Sequence, residues 1–130
     1  MPRKKKSEQL TPLELEIMKV LWETGAANVQ TVQGRLEREL AYTTVQTMLN
    51  VLHRKHKVTR ELKEKAYFYR PAVSRKQVMK QTLGDIVDRM FGGSAESLVM
   101  SLLETRRLTP EAMSRLNALL DKEAGDGQDK

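Results

Sequence analysis

Cysteine is absent from this chain of 130 residues. That excludes a disulfide framework and any zinc site built on thiolates. No apolar run approaches the roughly 20 residues that a membrane-spanning helix needs, and no hydrophobic segment follows the basic opening MPRKKK. The expectation is a soluble, cytoplasmic protein with no signal peptide and no membrane insertion. Histidine is scarce, with only His53 and His56. Their i, i+3 spacing could suit a metal, but no further His supports it, and surface or phosphate-facing histidines explain the pair better. There is no Ser/His/Asp set and no phosphate-cradling glycine loop. Carboxylates are plentiful, but they fall at helix starts and on polar faces, where capping and solvation account for them. No enzymatic activity, metal or cofactor is expected.

The charge that is present is unevenly placed. The formal net charge is +6, and residues 1–72 hold 14 Lys and Arg against 8 Asp and Glu, whereas residues 73–130 hold 9 of each. All the excess positive charge therefore lies in the N-terminal half. Such asymmetry predicts a half that binds nucleic acid and a half with another task.

Within the basic half, the stretch AYTTVQTMLNVLHRKH, residues 41–56, has two faces when read as a helix. Val45, Met48, Leu49 and Leu52 fall at i, i+3, i+4 and i+7, the spacing of a core-facing stripe. Thr43, Thr44, Gln46, Thr47, Asn50 and Arg54 fall on the other side, which carries no carboxylate. Hydroxyls, amides and a guanidinium are the groups that bond base edges and phosphates. A Thr-rich surface helix fits the same residues, so the flanks decide.

Residues 1–9 form a basic arm with almost nothing apolar and are expected to be disordered. Thr11-Pro12-Leu13-Glu14 is a helix start: Thr11 caps, Pro12 suits the first helical position and Glu14 completes a capping box. Leu13, Ile17, Val20 and Leu21 then make a buried stripe with Trp22 near its end, and Gly25 stops the helix. A second helix starts at Asn28, with Val29, Val32 and Leu36 on its apolar face and Leu40 closing it. A short connection leads into the reading helix. After His56 the period changes to two. Val58, Arg60 and Leu62 alternate with Thr59, Glu61 and Lys63; Glu64-Lys65-Ala66 can turn; Tyr67-Phe68-Tyr69-Arg70 is strand-like and Pro71 stops it. Helix, turn, helix and then a basic hairpin is the layout of a winged helix.

Three further helical patterns follow. Ser74 to Phe91 carries Met79, Leu83, Ile86, Val87, Met90 and Phe91. Gly92-Gly93 breaks it, and Ser94 caps a helix with Leu98, Val99, Leu102 and Leu103. Thr109-Pro110-Glu111 opens a last helix with Met113, Leu116, Leu119 and Leu120. Three short helices cannot bury this much Leu and Met surface within one chain, and the surplus predicts a two-fold dimer. The dimerising residues are Leu83, Ile86, Val87, Met90, Phe91, Leu98, Val99, Leu102, Leu103, Leu116, Leu119 and Leu120. The expected class is thus mainly α with a small β-hairpin wing. A winged helix-turn-helix spans 10–72, a helical dimerisation region 73–123 and a disordered tail 124–130.

At this point the residues carry a family resemblance. The run Leu10-Thr11 to Leu21-Trp22, the helix Thr43-Thr44-Val45-Gln46-Thr47-Met48-Leu49 with Leu52, the wing Ala66-Tyr67-Phe68-Tyr69 with Pro71, and the junction Met90-Phe91-Gly92-Gly93-Ser94 resemble the penicillinase-repressor family, the BlaI/MecI type of bacterial transcriptional repressor. The resemblance covers roughly residues 10–122. It implies a homodimer that binds a palindromic double-stranded operator and blocks transcription of an inducible operon. In the best-known members a membrane-bound sensor protease responds to β-lactam, and the repressor is then cleaved between Asn and Phe in its dimerisation half. The corresponding pair here is Ser101-Leu102, which departs from that pattern. A copper-responsive branch carries a C-terminal cysteine cluster; a chain without cysteine does not sense copper in that way.

The expected base readers are Thr43, Thr44, Gln46, Thr47 and Asn50, with Arg54, Arg60, Lys63 and Lys65 on the DNA backbone. The alternative from another class is a winged helix used as a protein-interaction module without specific DNA binding. The uncharged reading face and the charge of the N-terminal half weigh against it.

Overall fold

The computed structural model describes residues 9–128. The chain divides into two compact units, residues 1–82 and 83–130.

The first unit begins with α1, Pro12–Thr24. Its capping box forms as the sequence dictates: the Glu14 amide donates to Thr11 Oγ1 (3.1 Å) and the Thr11 amide donates to Glu14 Oε1 (2.8 Å). Gly25 ends the helix at φ +82°, a conformation that suits a residue without Cβ. Asn28 caps α2, Val29–Arg35, by accepting from the Thr31 amide (2.8 Å). The expected continuation of α2 toward Leu40 does not occur. Leu36 is extended at ψ 143°, and residues 36–41 form a loop in which Gln33 Nε2 donates to the Leu40 carbonyl (2.9 Å). Leu36 and Leu40 nonetheless pack against the core from this loop, so their i, i+4 spacing imitated a helix.

Helix α3, Tyr42–Arg54, leads into strands β1, Val58–Lys63, and β2, Ala66–Pro71. The strands pair antiparallel from Val58↔Pro71 to Lys63↔Ala66. The turn is therefore the two residues Glu64 and Lys65, with φ of +50° and +70°, and Ala66 belongs to the strand. Ala27 bridges to Tyr69 through two backbone hydrogen bonds of 2.9 and 2.8 Å, extending the hairpin with a third, single-residue rung. The core gathers Ile17, Met18 and Leu21 from α1, Val32 from α2, Val45, Leu49 and Leu52 from α3, and Val58 and Tyr69 from the hairpin.

Trp22 Nε1 donates to the Val73 carbonyl (2.9 Å) and Val73 packs on the core, which holds the chain beyond Pro71 to the first unit. The arm expected over 1–9 lies outside the described residues except for Gln9. That residue is half-buried, with its carbonyl accepting from Lys55 Nζ (3.2 Å).

Helix α4, Arg75–Met90, runs from the first unit into the second, which also contains α5, Ala95–Glu104, and α6, Pro110–Gln128. Gly92 and Gly93 adopt φ of +58° and +86° between α4 and α5, and Ser94 caps α5 by accepting from the Ser97 amide (3.1 Å). Thr109 likewise accepts from the Ala112 amide (3.1 Å) at the start of α6. Helix α6 runs on through residues 124–128 of the expected tail; residues 129 and 130 lie outside the described residues. No helix among the described residues is long and apolar enough to cross a membrane.

Candidate nucleic-acid interface

Helix α3 is fixed on one side only. Val45, Leu49 and Leu52 are fully buried and Met48 is half-buried, which turns the opposite face outward. At 100° per residue, Thr43, Thr47, Asn50 and Arg54 share a stripe within about 60° of that outward direction, and Gln46 and Thr44 flank it on either side. Thr43, Thr44, Gln46, Thr47 and Arg54 are exposed. Among the described residues, their side chains have no partner within the chain, so their donors and acceptors remain available to a ligand.

The start of α3 adds to this face. Ala41 is the N-cap and offers no side-chain acceptor, and the first turn has no acidic residue. The first amides of α3 thus lack a side-chain cap, at the end of a helix where the dipole favours anions. Tyr42, 48% exposed, stands there as well. The sequence reading passed over Tyr42; a large aromatic next to Thr43 at a helix start was the signal available.

Asn50 differs from its neighbours on the stripe. It is half-buried, and its Oδ1 accepts from Arg60 Nη1 (3.1 Å) and from the Tyr69 hydroxyl (3.2 Å). The Arg60 guanidinium carbon lies 4.3 Å from the centroid of the Tyr67 ring, a cation–π distance. Helix α3 and the hairpin are therefore tied together by Asn50 and Arg60, a contact that neither motif revealed.

The cations of the wing are not one row. Strand alternation and the register place Arg60 on the hairpin face that carries Tyr67 and Tyr69, whereas Lys63 is on the opposite face, 3.9 Å from Glu61. Lys65 sits in the turn. Arg54, at the C-terminal end of α3, is exposed. His53 and His56 are near that end, and no group of three or more potential metal ligands occurs among the described residues.

The C-terminal end of α3 is anchored by an ion pair. Lys55 Nζ lies 2.9 and 3.0 Å from the two oxygens of Glu14, which is 2% exposed. Glu14 was expected only as a capping residue; the partner 41 positions away was not visible in the sequence.

In the second unit, none of the described side chains of residues 83–124 is buried. The residues expected to dimerise lie on α4, α5, α6 and the α4–α5 junction. Met90 is 75% exposed, Leu119 58% and Leu120 63%. Ser101 and Leu102 are half-buried within α5 rather than in an extended loop.

A winged helix with this face, continued by these helices, has known relatives. Residues 10–122 match the family model described as Penicillinase repressor. The chain belongs to the penicillinase repressor family. This is a family of transcriptional repressors, not of enzymes. Transcriptional regulator BlaI of Mycobacterium tuberculosis is 32% identical over 126 residues, covering 94% of this chain and 91% of that protein. A penicillinase repressor of Bacillus licheniformis is 27% identical over 120 residues, 91% of this chain and 94% of its own. Among solved structures, the monomeric form of Bacillus licheniformis BlaI in complex with the blaP half-operator is 28% identical, with a TM-score of 0.46, covering 52% of this chain and 85% of that one. Penicillinase repressor family membership thus spans both units, the helices after the wing included.

Proposed function

We propose that the chain is a dimeric, sequence-specific DNA-binding repressor of an inducible operon, acting in the cytoplasm. Helix α3 enters the major groove, and Thr43, Thr44, Gln46 and Thr47 meet base edges. The single observation that carries this reading is the outward face of α3: hydroxyls and an amide, exposed and free of carboxylates, on a helix locked to the core by its other side. Each good base-edge pair discriminates by about 1–3 kcal/mol. Arg54, Lys63 and Lys65 displace counterions along the backbone, and the uncapped start of α3 suits a phosphate.

The dimer rests on the second unit. Leu83, Met90, Val99, Leu116, Leu119 and Leu120 stay exposed in one chain, and a second copy is the partner that would cover them with the same faces. Two winged helices then address two half-sites about 34–36 Å apart, one turn of the duplex, which calls for a palindromic operator. Membership of the family supports a β-lactam-linked signal reaching the repressor from a membrane sensor protease. The Ser101-Leu102 position on α5 is where a cut would act on the dimer, and a helical site must unwind before a protease can take it.

The deciding experiment is a fluorescence-anisotropy titration against duplex DNA from the chain's own upstream region, with random duplex as competitor at two salt concentrations. The expected result is competitor-resistant binding by two chains per site. Binding that random duplex abolishes overturns the specific reading and leaves a basic surface, for which a protein partner is the next candidate.

A further inference from the structure

Asn50 lies on the outward stripe of α3, where a base reader would stand, yet its carbonyl oxygen is already taken by two donors from the wing. We propose that Asn50 is a positioning residue: it braces Arg60, and through Arg60 the wing, so that the guanidinium meets a DNA phosphate from a fixed place beside the reading helix. The inference rests on the DNA-binding reading above.

Arg60 is exposed, and an exposed arginine ordinarily samples many rotamers. Here two contacts of different kinds restrict it. Nη1 donates to Asn50 Oδ1 at 3.1 Å, and the guanidinium lies over Tyr67 at 4.3 Å. Asn50 is itself held by the hydroxyl of Tyr69, which is 2% exposed and anchored in the core and by its backbone bonds to Ala27. The chain of restraint therefore runs from the core through Tyr69 and Asn50 to Arg60. One of the five N–H donors of Arg60 is engaged with Asn50, which leaves others for a phosphate. Neutral Asn50 holds the cation without cancelling its charge, as an Asp at this position would. An arginine ordered before binding avoids the cost of ordering it in the complex.

The test is a double-mutant cycle in the full-length chain, read by anisotropy on two duplexes: the upstream region that the wild type prefers and a random sequence. Asn50→Ala is expected to weaken both alike, by about three- to ten-fold, the cost of ordering one long side chain. In an Arg60→Ala background, Asn50→Ala is expected to change nothing further. Arg60→Lys keeps the charge but loses the planar donor fork, and is expected to match Asn50→Ala. It also keeps the test decisive if Asn50→Ala fails to fold. A loss confined to the preferred duplex overturns the brace and makes Asn50 a base reader; losses that add across the cycle while the wild type still binds overturn the brace as well. Failure of the wild type to bind either duplex overturns the DNA-binding reading itself, and the brace with it.

Discussion

Glu14 shows how one residue can carry both a local and a distant duty. Its amide and one carboxylate oxygen close the capping box of α1, while both oxygens receive Lys55 from the end of α3. The pair is largely out of water, with side-chain exposures of 3% for Glu14 and 20% for Lys55. Removing the cation alone leaves a buried carboxylate without its counter-charge, which is the costly way to break such a pair. Lys55→Met is therefore expected to lower unfolding stability by about 3 kcal/mol, at the lower end of the range because Lys55 keeps some solvent. Adding Glu14→Gln should recover much of that loss, since Gln still supplies a cap acceptor but carries no charge. Urea unfolding of the two variants measures both; a double variant no better than the single one would refute the account. On the reading face the contrast is between kinds of contact. Gln46→Ala should reduce the ratio of preferred to random duplex affinity by an amount equivalent to about 1–3 kcal/mol. Lys65→Ala should weaken both duplexes equally and lower the salt slope by about one. Competition titrations at several salt concentrations separate the two outcomes.

At the scale of elements, what the sequence disclosed was what is local or periodic. The capping box is a three-residue spacing, the stripe of α3 repeats every three or four positions, and the junction glycines mark their own break. The hairpin was legible from its alternation, but its two-residue turn was not, because Glu64 and Lys65 are unusual occupants of positive φ. Leu36 and Leu40 misled for the converse reason: an extended loop that covers the core can present apolar residues at helical intervals. The Ala27–Tyr69 rung, the Asn50–Arg60 tie and the Lys55–Glu14 pair each join residues distant in sequence, and no single-chain pattern announces them. The turn yields its own prediction. Asn tolerates positive φ better than Glu, so Glu64→Asn should stabilise the first unit by about 0.5–1 kcal/mol. It also removes a negative charge beside Lys65, so binding to random duplex should tighten as well. Thermal unfolding and anisotropy on the same variant check both; a lowered unfolding midpoint would count against strain at the turn.

At the scale of the whole molecule, the two units have opposite relations to water. The first buries Ile17, Met18, Leu21, Val32, Val45, Leu49 and Leu52 completely and presents a polar face outward. The second, among its described side chains, buries none and leaves Met90, Leu119 and Leu120 more than half exposed. A helical unit with no interior of its own gains its apolar burial from another surface, and a second copy offers the same unsatisfied faces. If so, the stability of the second unit is tied to chain concentration: the wild-type unfolding midpoint should rise with concentration by mass action. Leu119→Lys combined with Leu120→Lys should abolish that dependence and give a monomer by sedimentation. The same variant separates the roles of the two units in DNA binding. Each winged helix remains folded on its own core, so affinity for a random duplex per chain should change little. Affinity for a two-half-site duplex should fall by about 10²–10⁴, because the second half-site no longer benefits from the effective concentration that linkage supplies. A wild type that sediments as a monomer at all concentrations, or a lysine variant that still binds the two-half-site duplex as tightly, would place the selectivity in a single winged helix instead.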